Sequence, residues 1–385
     1  MHPEMEMLRC AIVRGGTSKG VFILKHDLPS DPVKRDKVIC AVYGSPDVRQ
    51  IDGLGGADVL TSKLAIISPS TRKDADVDYT FGQVSFETEF VDYGGNCGNI
   101  SSAVGPFAID EGLVTPKEPV TTVRIHLTNS NNILVAEVPV KNGRAQVEGD
   151  FAIDGCPGTG AKITLDWSDT VGCITGKMLP TGNTKDCITI DGKGYPVSIV
   201  DAANPHVFIH ARSLGLKGTE TPNQIEADKG LMQLIEKIRG TACVMIGLVK
   251  KPEEAATKTP YQPFFAIVSE PADYQTISGK QVKASEVDLV SRLLFMLRMH
   301  KTYPVTGTVC TGAAVRIPGT IAYEVLREQA KSRMTVQIGH PGGVIPVEAE
   351  STMNGGQVKM TRIGVYRTAR RIMEGYVYVR KSVFK

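Results

Sequence analysis

A lysine at the mouth of an apolar run and a cysteine among glycines and asparagines are the residues here whose types and settings suit proton transfer. Lys63 follows Gly53-Leu54-Gly55-Gly56 and Ser62 and leads into Leu64-Ala65-Ile66-Ile67, so its backbone is expected to enter a buried strand. Burial or a nearby cation lowers an ammonium pKa toward neutrality, which is what a general base needs. Cys97 stands in Gly94-Gly95-Asn96-Cys97-Gly98-Asn99, directly ahead of a small-residue apolar segment that reads as a helix. A thiol at a helix N-terminus is acidified by backbone amides and exchanges protons near neutral pH. Asn96, Gly98 and Asn99 are candidate donors to a carboxylate. Thr17 and Ser18, in Gly15-Gly16-Thr17-Ser18-Lys19-Gly20, offer hydroxyls to a second one, and Ser62 joins the binding set beside Lys63. The glycine clusters bring backbone amides close to an anion without forming a Walker A loop, whose lysine-serine/threonine ending is missing.

Composition narrows the function classes. A net charge of +3 over 385 residues, with scattered basic residues, excludes a nucleic-acid platform, which needs a concentrated basic face, but suits a small anionic substrate. The N-terminal residues carry Glu4 and Glu6 and lack the apolar core of a signal peptide, and no run is long enough to span a bilayer. A cytoplasmic chain without a membrane anchor is therefore expected. The eight cysteines include no C-x-x-C pair, and no histidine and carboxylate grouping has metal-ligand spacing, so thiols and no metal are expected.

The elements that must position these groups occur twice. Ile12 to Ile23 and Ile199 to Ile209 both read as strand, small polar loop, strand, which sets Asn204 and His206 in the second loop as candidate substrate contacts. Asn142-Gly143 and Asn354-Gly355 read as hairpin turns, and His340-Pro341-Gly342-Gly343 as a further turn. Asp31-Pro32 and Gly44 bracket a helix over about 32–43, with a counterpart over 223–239. A further helix is expected over 285–299, with Asp288 as a capping-box partner of Ser285. Cys97 to Ile109 and Thr308 to Ile321 are matching proline-interrupted apolar segments. Arg367, Arg370 and Arg371 fit either a solvated helix face or an anion-attracting cluster. At this length two domains are the default, placed at 1–185 and 186–385, with a strand near 375–385 able to return to the first.

The strings Arg14-Gly15-Gly16-Thr17-Ser18-Lys19-Gly20-Val21-Phe22, Gly94-Gly95-Asn96-Cys97-Gly98-Asn99, Asn204-Pro205-His206, Ile317-Pro318-Gly319-Thr320 and Arg367-Thr368-Ala369-Arg370-Arg371 resemble the family of 2-methylaconitate isomerase, 4-oxalomesaconate tautomerase and 3-methylitaconate delta-isomerase. The resemblance implies a diaminopimelate-epimerase-like α/β (α+β) fold. In that fold two similar domains, each a curled, mostly antiparallel sheet around a central helix, hold the active site between them. It also implies a cofactor-independent isomerase that shifts a carbon–carbon double bond in a small unsaturated di- or tricarboxylate, with Lys63 and Cys97 making the proton transfers. Which of the two is the base stays open, as does the choice among methylitaconate, methylaconitate and oxalomesaconate. A homo-oligomer is expected. Epimerases that resemble this chain at Cys97-Gly98-Asn99 use one cysteine from each half. Aligning Ala314-Val315 on Ala103-Val104 sets Thr308 opposite Cys97, with Cys310 two residues away. A facing Cys310 would favour racemisation, and an accessory role beside an aconitase-type enzyme is the remaining class.

Overall fold

The computed structural model describes residues 2–355 and 357–385; Met1 and Gly356, the residue after the expected Asn354-Gly355 turn, lie outside the described residues. The chain divides into two units, residues 1–165 with 366–385 and residues 166–365.

In the first unit the main strands before the C-terminal one are β1 (Met5–Gly15), β2 (Ser18–Leu24), β3 (Lys63–Pro69), β4 (Val77–Val84), β5 (Val120–Leu127) and β6 (Asn132–Lys141). Helix α1 (Pro32–Tyr43) crosses from β2 to β3, and α2 (Gly98–Asp110) from β4 to β5. Those crossovers make β2–β3 and β4–β5 parallel, while β1–β2, β3–β4 and β5–β6 are antiparallel. The α1 signals act as read: Asp31 accepts from the Lys34 amide at 2.8 Å, Pro32 opens the helix and Gly44 closes it in the left-handed region. The Asn142-Gly143 turn, both residues at positive φ, connects β6 to a short return strand. Buried on most sides, α2 touches β1, β2, β3, β5, β6 and the C-terminal strand Ala369–Arg380, so the sheet curls around it. That last strand pairs antiparallel with β1 from Met5 to Gly15.

The second unit contains β7 (Asp186–Ile190), β8 (Lys193–Ala202), β9 (Asn204–His210), β10 (Phe264–Ser269), β11 (Leu289–Phe295), β12 (Thr335–His340), β13 (Gly343–Asn354) and most of β14 (Gln357–Arg367). Its helices include α3 (Pro222–Ala227), α4 (Lys229–Met245) and α5 (Val305–Ala314). From β8 to β13 the pairings alternate antiparallel, parallel, antiparallel, parallel, antiparallel, the same series as β1 to β6. The internal duplication is therefore one of topology, and it has a register. Gly105 in α2 lies so close to β6 that a Cβ there would sit 2.7 Å from the Val138 side chain. Gly312 in α5 stands in the same relation to β13, 2.9 Å from Val347. Both are the eighth residue of their helix. The fold is thus a duplicated α/β arrangement of mostly antiparallel sheet, each half closing on its own helix.

Three expectations are corrected. Residues 285–299 are not a helix: one 3-10 turn at Ala284–Glu286 precedes β11, and a tight turn at Met296 and Leu297, both at positive φ, follows it. β11 is buried on both faces between β10 and β12, so its apolar run carries no alternation to distinguish it from a helix. Asp288 accepts from the Gln337 amide and pairs with Arg333, while Glu286 caps Lys283. The helix over 223–239 is two, broken where Asp228 caps α4 through the Leu231 amide at 2.9 Å. Arg367, Arg370 and Arg371 lie across the turn from β14 to the C-terminal strand, not on a helix face. No helix among the described residues is long and apolar enough to cross a membrane.

Candidate active site

Lys63 is the first residue of β3 and is buried, its backbone paired with Gly20 on one side and Gln83 on the other. Its ammonium donates to Gln83 Oε1 at 2.9 Å and lies 5.3 Å from the centre of the Phe81 ring. Gln83 is itself oriented, because its Nε2 donates to the Ser62 carbonyl at 2.9 Å. The Lys63 carbonyl accepts from the Tyr43 hydroxyl at the end of α1. This lysine is thus held at the backbone and at the side-chain tip. Ser62 corrects its expected role: fully buried, its hydroxyl donates to the Val84 carbonyl at 2.8 Å and accepts from Gln50 at 2.8 Å, leaving nothing for a ligand. The glycine-rich loop 53–56 packs around Gln50 and Gly44.

Cys97 is the N-cap of α2 and half-buried; its side chain makes no capping bond, while its carbonyl accepts from the Ser101 amide and hydroxyl. The amides of Gly98 and Asn99 belong to the first turn, where helical amides have no intrahelical partner. Asn96 donates to Ser130 at 2.9 Å and keeps its buried Oδ1 without a partner. Asn99 donates to Thr17 Oγ1 at 3.0 Å and accepts from Arg367 Nε at 3.1 Å. Close approach of the β1–β2 loop makes this possible: Gly16 has φ +54°, and a Cβ there would meet Asn99 Oδ1 at 2.3 Å. Ser18, in the same loop, is buried with an unpartnered hydroxyl. Thr17, Ser18, Asn96, Cys97, Gly98, Asn99 and Lys63 therefore sit on three adjacent element ends of one unit. Ile100, one turn along from Cys97, packs against Gly20, the strand partner of Lys63.

Three residues here, Gln83, Asn129 and Ser130, were missed by sequence reasoning. Gln83 fixes the Lys63 tip. Asn129 bonds both the Phe81 backbone and the Tyr93 carbonyl, tying the ring under Lys63 to the loop that leads to Cys97. Ser130 holds Asn96. Arg367, expected on a solvated helix face or in an anion-attracting cluster, holds Asn99. Each comes from a segment that only the fold brings beside its partner.

In the second unit, Asn204 accepts from Gln262 at 2.8 Å, and its carbonyl accepts from His206 Nδ1 at 2.8 Å. His206 is fully buried against Phe208 and Phe264; burial pushes its pKa down to about 3, so it is neutral, with Nε2 as an unpartnered acceptor. Thr308 is corrected. The helix register makes Pro304, N-cap of α5, the repeat counterpart of Cys97, and Thr308 the counterpart of Ser101. Like Ser101, Thr308 bonds back to the carbonyl of its N-cap, at 3.0 Å. Cys310 is in the middle of the helix, fully buried, donating to the Val200 carbonyl at 3.3 Å, and burial pushes its thiol pKa well up. The counterpart of Lys63, paired in parallel with His206 as Lys63 is with Gly20, is Phe264, whose ring packs tilted against Phe295 with centroids 4.9 Å apart. Among the described residues no group of three or more His, Cys, Asp and Glu could hold a metal ion.

The family model described as PrpF protein matches residues 5–380. Over 374 residues the chain is 55% identical to 3-methylitaconate isomerase of Eubacterium barkeri, spanning 97% of each. It superposes on the crystal structure of methylitaconate-delta-isomerase with a TM-score of 0.94 at 54% identity, over 99% of this chain and 98% of that one. A hydroxyproline epimerase from Agrobacterium vitis shares the fold alone, with a TM-score of 0.53 at 12% identity over 98% of this chain and 93% of that one.

Proposed function

The chain belongs to the PrpF protein family and is an isomerase, and from that premise we propose that it moves a double bond in 3-methylitaconate to give 2,3-dimethylmaleate, using Lys63 and Cys97 for the proton transfers. The observation that carries this reading is the asymmetry of the duplication. Where the first unit has Lys63 and Cys97, the second has Phe264 and Pro304, neither of which moves a proton. Inversion of a stereocentre needs an acid and a base on opposite faces, whereas a 1,3-shift needs proton-moving groups on one face only. The repeat supports the second.

In this mechanism a base takes the proton from the saturated carbon beside one carboxylate. The electron pair spreads over the allylic system, and a proton returns to the methylene carbon, which becomes a methyl group. Lys63, held by Gln83 and the Phe81 ring, is the first candidate for base. Cys97 at the amide end of α2 is the second proton-carrying group, and Thr17, Ser18, Asn96 and the Gly98 and Asn99 amides hold the carboxylates.

Proton NMR in deuterium oxide against 3-methylitaconate, 2-methylaconitate and 4-oxalomesaconate tests the reading, with Lys63→Ala and Cys97→Ser beside the wild type. Turnover of 3-methylitaconate is expected to be fastest, abolished in Lys63→Ala and partly kept in Cys97→Ser, with some original hydrogen returned to the product. Full deuterium incorporation in the first turnover, with activity left in Lys63→Ala, would transfer the base to Cys97.

A further inference from the structure

The corner where the β1–β2 loop meets α2 has more hydrogen-bond donors than acceptors. Arg367 is 8% exposed, and its guanidinium is bound only by Asn99 Oδ1, at Nε, and by the Tyr366 carbonyl, at Nη1, among the described residues. No described carboxylate lies within ion-pairing distance of it. Burial pushes its pKa down only to about 10, so it stays charged at neutral pH. An unpaired buried charge is strongly destabilising and is kept where something else supplies the counter-charge.

Asn99 shows which way the corner points. An arginine only donates, so Asn99 Oδ1 must face Arg367 and its Nδ2 must face Thr17. Thr17 Oγ1 is therefore an acceptor toward Asn99, which frees its own hydrogen to donate. Ser18, one residue on, has a buried hydroxyl with no partner at all. Arg367 Nη2, the Thr17 hydroxyl and the Ser18 hydroxyl are thus spare donors. A carboxylate, acceptor-only and matched to the planar guanidinium fork, is the group that completes this set.

We propose that Arg367, with Thr17 and Ser18, is the seat of one substrate carboxylate, and that Asn99 is its positioning residue. The proposal deepens the isomerase reading above and names a binding residue beyond the loops at Cys97 and Lys63. Its test is a ligand-and-side-chain cycle on the full chain. The probes are 2,3-dimethylmaleate and its half amide, with binding measured by calorimetry to wild type, Arg367→Gln and Arg367→Lys, and a melting curve for each. Wild type is expected to bind the diacid roughly 100-fold more tightly than the half amide. Arg367→Gln should erase that preference with its melting temperature kept, and Arg367→Lys should recover part of it.

A preference unchanged in folded Arg367→Gln overturns the seat. So does a variant whose only change is the rate of Cys97 alkylation by iodoacetamide, which would make Arg367 a counter-ion of the thiolate. Both results leave isomerisation untouched. Conversely, absent turnover of all three acids with an Arg367-dependent diacid preference would remove the isomerase reading and leave the carboxylate seat standing.

Discussion

Gln83 sits between two roles for Lys63. Its Oε1 holds the ammonium at 2.9 Å, and its own orientation is set by the Ser62 carbonyl. Gln83→Leu should leave the lysine free to swing, lowering kcat by roughly 10- to 100-fold with a smaller change in KM, since misplacing a reacting group by about 1 Å costs on that order. Gln83→Glu should lower it further by holding the ammonium in an ion pair. Steady-state kinetics on both variants decide the matter, and a wild-type kcat in Gln83→Leu would remove the positioning role. His206 makes a different prediction. Its folded pKa of about 3 lies below the unfolded value of ~6.5, so between the two the unfolded chain binds a proton that the folded chain refuses. Its contribution is complete above pH ~6.5 and is lost as pH falls toward 3, on the order of a few kcal/mol. His206→Phe, which fits the Phe208 and Phe264 stack, should flatten the fall of melting temperature with pH in that window.

At the level of elements, each half depends on one helix pressed against one strand with no room for a side-chain carbon. Gly105→Ala and Gly312→Ala should each destabilise the protein by about 1–3 kcal/mol, although alanine is ~1 kcal/mol the better helix former. The relief should be local: Val138→Ala restores stability to Gly105→Ala but not to Gly312→Ala, and Val347→Ala does the reverse. Denaturant unfolding of the single and double variants checks it. If relief crossed between the halves, the shared register read from the two glycines would be wrong. That register was not legible in the chain, where alignment on Ala103-Val104 misplaced the counterpart of Cys97 by four residues, one turn of helix. Small apolar residues repeat along both helices at turn spacing, and a pairing shifted by one turn satisfies them equally well.

For the whole molecule, the longest-range dependence is the return of the C-terminus to the first unit. Ala369–Arg380 covers β1 along its full length, and Val377 and Val379 join the core that includes Leu8, Val38 and Leu64. Ending the chain after Thr368 should expose the edge of β1 and abolish folding of that unit. Ending it after Arg380 removes only Val383 and Phe384 from the rim of that core and should cost about 1–3 kcal/mol. Circular dichroism and size-exclusion chromatography distinguish the two; equal loss in both would show that the strand pairing is not what holds the unit.

Much of this was written locally. The cap, proline and closing glycine of α1, the Asn-Gly turn after β6, the strand-loop-strand pairs and the places of Lys63 and Cys97 follow from neighbours within a few residues, so the chain alone determined them. The tertiary structure decided what depends on distant partners. β11 became a strand because β10 and β12 pair with its two edges, and burial of both its faces erases the period that would identify it. Gln83 reaches Lys63 through strand register, and Asn99 and Arg367, 268 residues apart, meet only because the C-terminus comes back to the first unit. A residue's type states what chemistry it could do, but the group it acts on is set by which segments the core brings side by side.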